Sequence, residues 1–163
     1  MVVGKKRPFL TILGNIGKYT TLSIGVAMTS TVLYVSALCG IELHAIANSP
    51  ILCKGEARTD PKKCCESLES LFQEEKAKLG ILEKKIDLVF LPKGKIASSV
   101  KIKDTYRISL DMDCTLAELR HELYHIADGH CDLKFENKYA FRAVYLFYME
   151  PQAALYSAFG WKL

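Results

Sequence analysis

Along the chain the apolar positions fall into two regimes: one unbroken block near the N-terminus, then short periodic runs separated by turns. Met1 to Lys18 carries Lys5, Lys6, Arg7 and Lys18 and no acid, and Tyr19 to Ile41 carries no charged residue. A bilayer is crossed by a helix of about 20 apolar residues, and TLSIGVAMTSTVLYVSALCGI meets that length. Basic residues in front of it predict a cytoplasmic N-terminus, with the rest of the chain carried across. The bland alternative is a buried helix of a soluble fold, where so long an uncharged run behind basic residues is rare. Two membrane readings stand side by side. Ala45-Ile46-Ala47 is a small-x-small triplet placed as a signal-peptide cleavage site would be, whereas the length of the run favours an uncleaved anchor. Val35 to Cys39 is no lipoprotein site, because Leu38 is large where a small residue is wanted.

After the block the periodic elements begin. Asn48 to Thr59, with Pro50 and Gly55, reads as a linker. Asp60-Pro61 is an N-cap followed by proline at the first helical position. Leu68, Leu71, Phe72 and Leu79 continue at helical spacing to Gly80. Ile86 to Leu91 (IDLVFL) predicts a strand, ended by Pro92-Lys93-Gly94. Ser98 to Lys103 and Tyr106 to Asp111 alternate as two more, joined as a hairpin through Lys103-Asp104. Thr115 and Glu118 form a capping box ahead of a helix in which Leu116, Leu119, Leu123 and Ile126 share one face, and Gly129 closes it. Lys138 to Phe159 is a second long helical stretch, rich in aromatics, which Pro151 should kink or restart. Arg142 and Glu150 argue against its being another membrane span.

The expected organisation is therefore residues 1–47 as membrane anchor or signal segment, 48–59 as linker and 60–163 as one small α+β domain. At 163 residues, half apolar and a quarter charged, the chain can bury a single core. A net charge of +4 with dispersed lysines gives no basic stripe interleaved with aromatics, so no nucleic-acid partner is expected. Both membrane readings put Asn48 to Leu163 in a periplasmic or extracellular setting, where disulfides persist. That region holds Cys53, Cys64, Cys65, Cys114 and Cys131, an odd number, so at least one thiol stays free or pairs between chains. Cys114 and Cys131 flank one helix and would lie roughly 25 Å apart, too far for a bond. Zinc binding by the cysteines lacks a CxxC pair.

The chemistry concentrates in HELYH. At about 100° per residue, His121 and His125 fall within about 40° of each other and roughly opposite the leucine face. Two histidines so spaced can reach one ion from the same side, and Glu122 beside them can take a proton from a water polarised by it. Chance could produce so short a pattern, but three of the four histidines lie between 121 and 130 on a capped helix. A catalytic zinc wants a third protein ligand and an open position. Glu150, an acid in a largely apolar helix, is the first choice, and His130, just past Gly129, the second. Asp128 and Asp132 are placed to orient a histidine.

The run TLAELRHELYHIADGH, followed by a helix bearing YMEPQAALYSAFG, resembles the minimal gluzincin metallopeptidases, especially the compact ImmA/IrrE-like domains. The resemblance covers roughly Ser98 to Phe159, with HELYH its specific part. It implies a zincin-like domain: a helix, a short three-stranded sheet, the HExxH helix and a glutamate-bearing helix. It also implies peptide-bond hydrolysis with the substrate paired along the sheet edge. His121 and His125 match the histidine ligands, Glu122 the base, Glu150 the third ligand and Ala153 the small position. Pro151 departs from the pattern, since the residue before a proline is pushed away from helical angles. The metzincin pattern fails, with Asp128 where its glycine belongs and Cys131 where its third histidine belongs. The expected function is a zinc-dependent, membrane-anchored or exported endopeptidase acting on a peptide or protein substrate. Its rivals are a catalytically degenerate zinc-binding domain or membrane-tethered binding module, and a metal-dependent amidase acting on envelope material.

Overall fold

The computed structural model describes residues 29–91 and 93–160. The basic residues ahead of the apolar run, and its first part, lie outside them. Helix α1 (Thr29–Asn48) is long and apolar enough to be a membrane span or a signal sequence, and it is the one such helix among the described residues. The chain divides into two compact units, Met1–Cys39 and Gly40–Leu163. The last turns of α1 therefore belong to the second unit, whose fold is α+β.

That unit continues through a short 3-10 turn (Gly55–Thr59) into α2 (Pro61–Leu79). The Asp60 side chain accepts from the Lys62 and Lys63 amides, and Gly80 closes α2 in the left-handed conformation. Strands β1 (Ile86–Leu91), β2 (Ser98–Ile102) and β3 (Thr105–Asp111) form one mixed sheet in the order β1-β3-β2. β2 and β3 are an antiparallel hairpin in which Ile102 faces Thr105, so Lys103-Asp104 is a two-residue turn, with Lys103 at φ 56°. β3 then returns parallel to β1, Ile86 opposite Tyr106. The alternation in β3 puts Tyr106, Ile108 and Leu110 in the core, where they meet Leu68, Phe72 and Leu79 of α2. β2 is an exposed edge strand.

Helix α3 (Leu116–Ala127) begins at the Thr115–Glu118 capping box and ends at Asp128 and left-handed Gly129. Leu119, Leu123 and Ile126 are fully buried. Across its other side lies α5 (Glu150–Phe159), whose Ala153 and Ala154 are buried against it. Small residues there let the two backbones approach closely. A turn at His130–Asp132, helix α4 (Lys138–Val144) and a π turn (Tyr145–Met149) connect the two.

Residues 48–59, expected as a linker, are instead packed into the domain. Leu52 and Cys53 are buried, and Cys53 is disulfide-bonded to Cys64 at the start of α2. Leu52 N–H donates to the Cys114 carbonyl, and the first two amides of α3 are met from this segment: Leu116 N–H by the Pro50 carbonyl and Ala117 N–H by Ser49 Oγ. An α3 N-terminus leaves four amides without helical partners, and that demand orders the segment. Cys65, Cys114 and Cys131 remain free thiols.

Two polar devices fix α3 against α2. Buried Lys76 donates to the carbonyls of Leu82 and Lys84, while Lys84 Nζ donates to the Ile126 carbonyl at the C-terminal end of α3. Glu75, wholly buried, accepts from Arg120 Nε and Nη2, both at 2.9 Å, and from Lys78 Nζ at 2.8 Å. Burial raises the Glu75 carboxyl, but these donors outweigh it and hold the group below its ordinary 4.5. A depressed carboxyl stabilises the fold fully above its ordinary value and loses that contribution as the pH falls through its folded value. Arg120→Ala is thus expected to cost about 3–5 kcal/mol at neutral pH, read from urea midpoints. The gap between wild type and variant should narrow in acid below pH 4.5. A gap unchanged by acid would mean that packing, not the ion pair, carries the contribution.

Candidate metal centre

His121 and His125 project from consecutive turns of α3, and Glu150 comes in from the start of α5. Candidate donor atoms of the three lie within 4.8 Å of one another. His121 Nε2 and His125 Nε2 are 3.1 Å apart, Glu150 Oε1 is 3.3 Å from His125 Nε2, and Glu150 Oε2 is 3.5 Å from His121 Nε2. Ligands about 2.0–2.1 Å from one tetrahedral ion are about 3.3–3.4 Å apart. The two ring nitrogens lie near that spacing, with one Glu150 oxygen close to each, and with a single donor atom taken from each residue all three stand within 4.8 Å of one another. The donors also fit chemically: two imidazole nitrogens and a carboxylate, with Glu150 Oε1 buried and making no hydrogen bond of good geometry. A buried acceptor in that state asks for a cation.

The electrostatics point the same way. Burial alone would push the His121 imidazole down, yet Glu150, Glu122 and Glu42 around it raise it above its ordinary value. Burial alone would raise the Glu150 carboxyl, yet the two imidazoles and the Tyr145 hydroxyl hold it well below the carboxylate range. The pocket therefore favours positive charge at its centre. Glu122, only 6 % exposed, is raised by burial, against a hydrogen bond from Ser99 on β2.

Glu150 itself is fully helical at φ −61°, ψ −44°, despite the proline after it. The strain expected from Pro151 is taken up one turn earlier. There the chain winds as a π turn, and the Glu150 amide donates to the Tyr145 carbonyl five residues back. Pro151 then sits in the first turn of α5, where its missing N–H costs nothing.

His130, the other contender for third ligand, lies behind His125, away from the triad. Its Nδ1 is 2.8 Å from His125 Nδ1, and its Nε2 is 2.8 Å from Asp128 Oδ2. Asp128, His130 and His125 thus form a chain running away from Glu150. Asp132, expected to orient a histidine, instead accepts from Tyr106 Oη at 2.8 Å and from Lys101 Nζ. The turn at His130–Asp132 faces it toward the β2–β3 hairpin.

Three contributors were not singled out from the sequence. Glu42 of α1 has Oε1 3.3 Å from His121 Nδ1. It is the first acid in the chain and sits at the end of an uncharged run, which is a readable signal. Tyr145 contributes to the depression of the Glu150 carboxyl and stacks on His125, ring centroids 6.0 Å apart and 14° from parallel. Ser99 meets Glu122, and only the folded sheet brings it there.

Two recesses flank the triad and share Ala97, Glu122 and Tyr145. One, of about 440 Å³, is lined by Glu42, Ile46, Lys95, Glu118 and His121. The other, of about 290 Å³, is more apolar, with Val100, Leu133, Phe141 and Met149 beside His125 and His130.

Comparison with protein-family models, curated proteins and solved structures finds no match, so the functional reading stands on this geometry. Titrated with zinc against a chromophoric chelator, Glu150→Ala should lose stoichiometric binding. His130→Ala should keep it, with affinity weakened about 10- to 100-fold. The reverse pattern would make His130 the ligand.

Proposed function

We propose that the chain is a zinc-dependent metallopeptidase. The observation that carries this is the convergence of His121, His125 and the Glu150 carboxylate, with donor atoms within 4.8 Å of one another, beside a buried glutamate and an open cleft. The set of two histidines and a glutamate leaves a fourth position for water or substrate, as catalytic zinc requires. When bound, the ion acts as a Lewis acid, polarising a carbonyl and making a water nucleophilic at neutral pH.

The protein's own groups supply the rest. Glu122 accepts the proton of the attacking water and delivers it to the departing amide nitrogen, and its raised pKa suits both steps. Ser99 holds its carboxylate in place. Tyr145 anchors Glu150 and borders both recesses, so it faces the position of the scissile bond. β2 is an edge strand whose residues line the apolar recess, and an extended peptide can pair with it across the triad. Residues on the two sides of the scissile bond then enter the two recesses, with the His130 side favouring an apolar side chain.

The domain works outside the cytoplasm, tethered by α1. The supporting observations are the apolar helix, the basic residues ahead of it, and the Cys53–Cys64 disulfide within the domain. A reporter enzyme fused after Leu163 should be active only on the extracytoplasmic side, and activity confined to the cytoplasm would refute the topology. For the chemistry, Glu122→Gln keeps size and polarity and removes the proton acceptor. It should leave zinc binding intact and lower peptide hydrolysis by about two to four orders of magnitude. Cleavage at the wild-type rate would exclude this mechanism.

A further inference from the structure

The end of α1 does more than deliver the domain. Gly40–Asn48 belongs to the same compact unit as the triad, and Glu42 and Ile46, one turn apart, line the recess that also holds His121, Glu122 and Glu150. Ala45, between them on the same side, is buried. Directly after the helix, Ser49 and Pro50 cap the first amides of α3.

We infer that the C-terminal end of the apolar helix is a built part of the metal site, with Glu42 as the positioning residue for His121, so that the working chain keeps α1 instead of shedding it at Ala45-Ile46-Ala47. This rests on the metal reading above. His121 faces the triad through Nε2, so with an ion there its proton sits on Nδ1. Nδ1 is buried and makes no hydrogen bond among the described residues, and the carboxylate facing it is Glu42, with Oε1 at 3.3 Å. A carboxylate behind a ligating histidine fixes the ring's rotation and raises its basicity as a donor. It also accounts for the lone acid of the segment: a carboxylate is costly at the end of an apolar helix unless a partner meets it. A cut after Ala47 would remove Glu42 and Ile46 from the recess and strip His121 of this partner. In the folded domain the triplet is helical and its first alanine is buried, so the segment is part of the packed domain.

The test uses the full chain purified from membranes in detergent. Intact mass should show a chain that retains Glu42, whereas a chain starting at Asn48 overturns the inference. In zinc competition, Glu42→Ala should bind about 10- to 100-fold more weakly than wild type, with an altered visible spectrum when cobalt(II) replaces zinc. Glu42→Gln, which keeps an acceptor oxygen, should recover part of the loss. Leu43→Ala, on the exposed side of the same turn, should match wild type in both readouts. Wild-type affinity and spectrum in Glu42→Ala would overturn the Glu42 assignment while leaving the triad intact. A wild-type chain that binds neither ion would instead overturn the metal reading itself, and this inference with it.

Discussion

Everything in this fold answers to one electrostatic demand: a carboxylate and two imidazoles held edge to edge in a place where water is scarce. Glu150, His121 and His125 present donor atoms within 4.8 Å of one another, and the two histidines are no more than 7 % exposed. Packed so closely with no positive charge among them, these lone pairs would repel and lose their hydration. They are tolerable only with positive charge at the centre, whether protons on the rings or an ion between them. Three glutamates around two histidines tilt the balance toward the cation, as the raised His121 and depressed Glu150 record. A divalent ion supplies that charge in full and leaves both rings neutral.

Holding the donors in place requires that α3 cannot shift or rotate, and its fixings are distributed accordingly. The capping box and the Ser49–Pro50 segment secure its first turn, the Glu75–Arg120 pair its middle, and Lys84 its last carbonyls. Because the fixings come from residues far apart in sequence, the helix is a rigid platform. Ligand geometry then depends on side-chain rotation alone. That rotation is set by groups behind the rings: Glu42 at His121 Nδ1, and His130 with Asp128 at His125 Nδ1.

What could be read from the sequence was what local chemistry determines. The α3 boundaries followed from Thr115, Glu118 and Gly129, β1 from its run of β-formers and β2 and β3 from short alternating runs, because caps, propensity and periodicity act within a few residues. The triad was half-legible: His121 and His125 share one helix, so their spacing fixes their relation. Glu150 needed the resemblance as well as its oddity as an acid among apolar residues. The failures share a cause. The 48–59 segment looked like a linker because its composition is turn-rich, whereas its order comes from distant partners: the Cys64 disulfide and the unsatisfied amides of α3. Glu42 was overlooked because its neighbours in sequence describe a membrane segment, and only tertiary packing brings it to His121.

Pro151 shows how an apparent misfit becomes a positioning device. In α geometry, at about 100° per residue, positions five apart point about 140° away from each other, so Tyr145 and Glu150 could not meet. A proline at 151 cannot donate to a carbonyl in the preceding turn, and its ring crowds the carbonyl four residues back. Widening that turn to π winding relieves the crowding. It also stacks residue i over i+5, since the Glu150 amide now donates to the Tyr145 carbonyl. The same change that accommodates the proline therefore brings Tyr145 to the Glu150 side, where its hydroxyl helps hold the carboxyl down and its ring stacks on His125. Glu150 keeps helical angles, α5 restarts immediately behind it, and Ala153 and Ala154 lie flush against α3. The residue that looked least helical from the sequence thus supplies the local winding that aims the third donor at the other two.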